Sequence, residues 1–149
     1  MAYADDLQNG NVVSVELYPP MAADGYDAAA LKLGQLEQRI ARFTASGLYV
    51  NITDGLLGQK GMNRVELIEA LRSPRHDRSR VILNLSCNHE PDEAVKIVYS
   101  ALSGGYSHFL LVPGDLLNGR RPIQNTTSLA ALVREAAAGT HLSLGASLN

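Results

Sequence analysis

Short apolar runs alternate along the chain with longer amphipathic stretches. The runs are "NVVSVELY" from Asn11, "LYVNIT" from Leu48, "RVILNLSC" from Arg80, "HFLLV" from His108 and "HLSLGA" from His141. They recur at roughly 30-residue intervals, and each is the length of one strand. The intervening stretches have helical spacing. Leu31, Leu33, Leu36, Ile40 and Phe43 fit one helix with Asp27 as its candidate cap. Val65, Leu67, Ile68 and Leu71 fit a second helix that ends before Pro74. "EPDEAVKIVYSAL" opens on Pro91 and acids and closes at Gly104-Gly105, while "TTSLAALVREAAAG" stops at Gly139. Strand–helix alternation at this interval predicts βα units and a parallel sheet.

A parallel strand covered on both faces is apolar at both parities, yet here one parity turns polar. Val13, Val15 and Leu17 leave Ser14, Glu16 and Tyr18 on the other side. Leu48, Val50 and Ile52 oppose Tyr49, Asn51 and Thr53, and Val81, Leu83 and Leu85 oppose Ile82, Asn84 and Ser86. Ser143 and Ser147 repeat the pattern, and Asp115 follows the fourth run. If these sets share a face, they line an interior that opens at the strand C-termini, where α/β folds place their sites. Glu16 sharpens the point: the flanking valines and leucine predict a buried strand, and an unpaired buried carboxylate costs several kcal/mol. Pro19 and Pro20 end that strand abruptly and fix the backbone behind the carboxylate.

Composition narrows the classes. The chain has 149 residues, 46% hydrophobic and 19% charged, with a net charge of −2. That is a globular balance in one domain, 1–149, with no linker or low-complexity tract. With no basic stripe, no Trp and few aromatics, a nucleic-acid surface is not expected. No signal sequence and no long apolar run is present, so a cytoplasmic protein without a membrane partner is the expectation. Cys87 is the single cysteine and is expected to be a buried, inert thiol.

Other motifs are weaker. "TDGLLGQKG" lacks the order of a phosphate loop, so Gly55 and Gly58 are read as shaping a strand-to-helix loop. In "VPGDLLNG", Gly114 and Asp115 stand directly after a strand, which favours a site over a simple turn. The four histidines show no ligand spacing, and metal binding is not expected. His76, in "SPRHDRSR", is expected in a solvated loop; His89 lies after the third strand, with a surface role as fitting as a ligand contact.

"SVELYPP", "VNITDG", "LNLSC" and "GGYSHFLLVPGDLLNG" resemble, in order and spacing, the N-terminal half of the methylenetetrahydrofolate reductase family. The resemblance runs from about Asn11 to the end of the chain. Its most specific parts are the strand-borne Glu16 before a Pro pair and the Gly114-Asp115 step. It implies a (β/α)8 TIM barrel holding FAD at its C-terminal face. The implied reaction is reduction of 5,10-methylenetetrahydrofolate to 5-methyltetrahydrofolate by an NAD(P)H-dependent flavoprotein of one-carbon metabolism and methionine biosynthesis. By the same resemblance Glu16 is the general acid and Asp115 the carboxylate beside flavin and pterin. Thr53, Asn84, Ser86, Gly114 and Asp115 become cofactor-binding positions. Asn84 and Pro113 stand where many members carry His and Arg.

A full barrel takes about 200 to 250 residues, so this chain is expected to be a partial barrel of about five strands. It is read as part of a longer chain, or as a half completed by a homo-oligomer or partner chain. Two other readings stand beside the enzyme. One is a non-catalytic pterin- or flavin-binding, barrel-completing subunit. The other is a small Rossmann- or flavodoxin-like domain, which needs a strand order that reverses within the sheet.

Overall fold

The computed structural model describes residues 5–6, 8–10, 12–56, 59–72, 75–116 and 119–147. Asn11, Gly58, Pro74, Leu117, Asn118, Leu148 and Asn149, which enter the sequence reading, lie outside the described residues. In chain order the elements are β1 (Ser14–Leu17), α1 (Tyr26–Ala45), β2 (Tyr49–Ile52), the two-residue strands β3 (Gly55–Leu56) and β4 (Gln59–Lys60), α2 (Arg64–Ala70), β5 (Val81–Ser86), α3 (Pro91–Ser103), β6 (His108–Val112), α4 (Thr126–Ala136) and β7 (Ser143–Ala146).

Five strands form one sheet in the order β1-β2-β5-β6-β7, and every neighbouring pair is parallel. The order follows the chain without reversal. A doubly wound nucleotide-binding sheet needs that reversal, so the Rossmann-like reading has no support among the described residues. Right-handed crossovers that always advance in one direction put every helix on the same face. The packing agrees: Val50, Ile52, Leu83, Leu85, Phe109 and Leu111 form one buried cluster with residues of all four helices. Burying one such aliphatic side chain stabilises the fold by about 1.5 to 3 kcal/mol.

Local chemistry sets the helix ends. Pro91 occupies the first turn of α3 with Asp92 and Glu93, whose charges favour the positive end of the helix. Asn63 caps α2, its side-chain oxygen accepting from Val65 N–H at 2.9 Å and Glu66 N–H at 3.2 Å. Asp27 is not the cap of α1. Gly25 takes the extended cap conformation without a side-chain bond, and Asp27 lies inside the first turn. Leu31 is 65% exposed, off the Leu33–Leu36–Ile40–Phe43 seam that meets the sheet.

The first strand departs from expectation. β1 is a sheet edge, paired only with β2, and Ser14 and Glu16 are exposed while Leu17 is buried. Edge position leaves one side of the strand without a covering neighbour, which is why its apolar flank, Val13, stands 61% exposed. The loop "TDGLLGQKG" is likewise more than a simple connector. Its described residues form the antiparallel β3–β4 hairpin, tied back by Met62 N–H to Pro20 O at 2.8 Å.

Candidate functional site

Register decides which side chains share a face, because directly paired residues in a parallel sheet point the same way. Glu16 pairs with Asn51, Asn51 with Ile82, Ile82 with His108, and His108 with Ser143. Two residues further along, Asn84 pairs with Leu110 and Leu110 with Gly145. Thr53 is one residue beyond the Ile52–Leu83 pair and so falls level with Asn84, and Ser86 lies two residues further along β5. The polar parities of the strands therefore do lie on one face, opposite the helices. Glu16 stands about 6 to 7 Å below the Thr53–Asn84 row along the strands, at roughly 3.3 Å per residue.

On that face Thr53 and Asn84 are buried. The Thr53 hydroxyl and the Asn51 and Asn84 side-chain carbonyl oxygens are shielded from solvent without a hydrogen-bond partner. A buried polar atom left unpaired costs about 1 to 3 kcal/mol, so three on one face need a reason. At the other end of the strands, Tyr49 donates from the same face to Asp6 at 2.8 Å, which brings the N-terminal segment across that end.

Glu16 is exposed and accepts a 2.8 Å hydrogen bond from the Tyr18 hydroxyl. Pro19 and Pro20 are buried behind it. The hairpin packs onto them so closely that a Cβ on Gly61 would lie 3.2 Å from Pro19 Cγ and 3.1 Å from Asp54 O. Gly114 has φ of +71°, and a Cβ there would come within 2.7 Å of Asn88 Nδ2. Only glycine suits both demands. Its carbonyl accepts two bonds from Arg121, at 3.2 Å from Nε and 2.8 Å from Nη2. Asp115 follows, exposed. Thus Thr53, Asn84 and Ser86 come together on neighbouring strands, Glu16 lies one row lower at the edge, and Asp115 sits beyond β6 with no contact shown to Glu16.

A second group of residues, absent from the sequence expectations except for His89, sits where β2 and β5 end. Arg64, 3% exposed, directs Nε to Asp54 Oδ1 at 2.9 Å. Its Nη2 donates to Ile52 O at 3.1 Å and to Asn84 O at 2.8 Å. Asp54 Oδ2 accepts from Ser86 N–H at 2.9 Å and lies 2.8 Å from His89 Nε2. The other ring nitrogen, Nδ1, faces Glu93 Oε2 at 3.2 Å. Burial opposes ionisation of Asp54, but the His89 hydrogen bond and the Arg64 charge hold its carboxyl well below the usual carboxylate range. Burial pulls the Arg64 guanidinium down, with Asp54 opposing that shift. Burial works against the charged form of His89 as well, yet Asp54 and Glu93 outweigh it and raise the imidazole above its ordinary value. Beside this cluster is a cavity of about 200 Å³ lined by Ala22, Gly61, Met62 and Asn63 as well as by the cluster itself. The one signal in the sequence was the i, i+4 spacing of His89 and Glu93; nothing local pointed to Arg64 or Asp54.

His76 is a correction. It is buried, not solvated, with Nε2 2.8 Å from the Tyr106 hydroxyl, which donates to Leu71 O at 2.6 Å. Desolvation lowers the His76 pKa and pushes that of Tyr106 up to about 12. The chain folds back so that the loop ahead of β5 packs on the end of α3, a long-range contact that a polar local sequence conceals. Cys87 is fully buried, as expected, and burial raises its thiol pKa. Among the described residues no cluster of three or more His, Cys, Asp and Glu is arranged to hold a metal ion, and no helix is long and apolar enough to cross a membrane.

No family model, no curated protein and no solved structure matches this chain.

Proposed function

We propose that the chain supplies part of a (β/α)8 barrel in a methylenetetrahydrofolate reductase-like oxidoreductase. In this reading it works within a longer chain or an assembly, with FAD, NAD(P)H and a folate or related pterin as its ligands. The observation that carries the reading is the polar face of the sheet, on which Thr53 and Asn84 present buried, unpartnered oxygens one row above Glu16. Five parallel strands in chain order, with α1 to α4 packed into one core on the opposite face, also suit one arc of a barrel.

The unpartnered oxygens of Thr53 and Asn84 suit a heteroaromatic ring system with both donors and acceptors, and a flavin has that character. Thr53, Asn84 and Ser86 would hold it from β2 and β5, with Gly114 and Asp115 beyond β6. When bound, the flavin supplies hydride transfer between nicotinamide and substrate. Glu16, hydrogen-bonded by Tyr18, is the group that would deliver a proton to the pterin ring nitrogen released as the bridge opens. A positioned acid contributes about 10²- to 10⁴-fold in rate. Asp115 offers negative charge to a cationic pterin. The buried prolines behind Glu16 limit the directions from which it can act.

A non-catalytic, barrel-completing subunit is the second reading. The exposure of Glu16 and Asp115 favours it, since an acid and an electrostatic partner both act best where water is excluded. Absorbance between roughly 350 and 500 nm, after FAD addition and gel filtration, separates the two at the first step. Retained flavin bands are expected, and their loss removes the flavin assignment. In the complete assembly, Glu16→Gln is expected to lower folate reduction by at least about 10²-fold and to leave flavin reduction by NAD(P)H nearly unchanged. Equal loss in both half-reactions removes Glu16 from the acid role.

A further inference from the structure

The Asp54–Arg64–His89–Glu93 cluster touches the backbone of each residue that faces the candidate ligand from β2 and β5. Arg64 holds the Ile52 carbonyl, which is the peptide unit of Thr53, and the carbonyl of Asn84 itself. Asp54 holds the Ser86 N–H and directly follows Thr53 in the chain. These bonds link the ends of two strands to one buried charge pair. Their side chains project onto the polar face, so a shift of the cluster moves the ligand-facing atoms with it.

Histidine makes this cluster sensitive to one proton. Carboxylate oxygens face both His89 ring nitrogens, at 2.8 Å from Nε2 and 3.2 Å from Nδ1. A neutral imidazole donates from one nitrogen only, so one carboxylate then meets a lone pair. The imidazolium keeps the Nε2 bond to Asp54 and places its positive charge against Glu93. Among the described residues the charged groups against His89 are Asp54 after β2 and Glu93 on α3, with Arg64 on α2 acting through Asp54. The adjoining cavity and the partly exposed Glu93 give the ring a route for proton exchange with solvent.

We propose that Asp54, Arg64, His89 and Glu93 form a proton-dependent clamp that positions Thr53, Asn84 and Ser86 for the ligand on the polar face. The four are positioning residues, and the proposal rests on the reading of that face as a binding site. With His89 protonated the clamp is closed. As pH rises through the raised His89 value, the positive charge between Asp54 and Glu93 is lost, their hold on the turn into α3 weakens, and the strand ends gain freedom.

The test follows the His89 ring and the Thr53 and Ser86 amides by NMR across pH 5 to 9, about two units either side of neutrality, while FAD affinity is measured over the same series. The amides are expected to titrate with the His89 midpoint, and FAD is expected to bind roughly tenfold more weakly above it. Glu93→Gln, at a partly exposed position, lowers the midpoint, and the amides follow. His89→Gln abolishes the pH response. Amides that stay still while His89 titrates overturn the clamp, as does FAD affinity that is unchanged while the amides move. Amides that move with His89, in a protein that retains no FAD at any pH, support the clamp and overturn the flavin reading instead.

Discussion

Arg64 is the residue on which most of the site's backbone depends. A guanidinium with two carbonyl acceptors and one carboxylate uses the planar fork that lysine lacks. Removing it leaves the Asp54 carboxylate buried without its guanidinium partner. Arg64→Met is therefore expected to destabilise the chain by about 3 to 5 kcal/mol, read as a lower urea midpoint at unchanged m-value. A loss within about 0.5 kcal/mol, the range of ordinary surface changes, would place the pair outside the core. Glu16 was legible in the sequence because a carboxylate in an apolar strand is conspicuous. Arg64 was not, because an arginine in the first turn of a polar-starting helix looks like any solvated one. Its burial depends on strands that are 12 and 20 residues away along the chain.

At the level of elements, α2 is the short helix on which the cluster hangs. It has seven residues, too few to be stable alone. Two things hold it: the Asn63 cap, and Leu67 and Ile68 packed in the core. Asn63→Ala is expected to cost about 1 kcal/mol. It should also raise amide exchange in α2 more than in α3, which hydrogen-exchange NMR would show. Uniform change across both helices would mean that the cap acts globally rather than on α2. The helical spacing, Pro91 and the Gly104-Gly105 stop were all readable, and so were five strands. The β3–β4 hairpin was not, since two-residue strands carry no period, and its place is fixed by contacts to Pro20 and by the closeness of Gly61 to Pro19.

For the whole molecule, the charges set how stability follows pH. Asp54 is depressed in the fold, so its contribution is present above the ordinary carboxylate value of about 3.9 and is lost as pH falls below it. His76 is lowered, so its contribution is present above about 6.5 and is lost on acidification. His89 is raised and works in the opposite sense, contributing below about 6.5 and losing that contribution as pH rises through its folded value. Tyr106 contributes below about 10 and loses that as pH approaches about 12. Thermal unfolding by circular dichroism is therefore expected to show a progressive acid loss below about pH 4 and a further loss above about pH 10. Asp54→Asn should flatten the first limb and Tyr106→Phe the second. An acid limb of unchanged slope in Asp54→Asn would assign acid loss to other carboxylates.

Hydrophobic periodicity alone determined the strands, the helices and the parallel βα order, because apolar spacing is a local property that folding must satisfy. It also determined that the strands present a polar parity, which the register then gathers onto one face. Tertiary structure decided the rest. It made β1 an edge, which exposes Glu16, and it joined Asp54, Arg64 and His89 from three separate segments into one buried cluster. It also buried His76 against Tyr106. Each of these depends on which residues meet across many positions of chain, and burial and ion pairing are properties of that meeting rather than of any stretch of sequence.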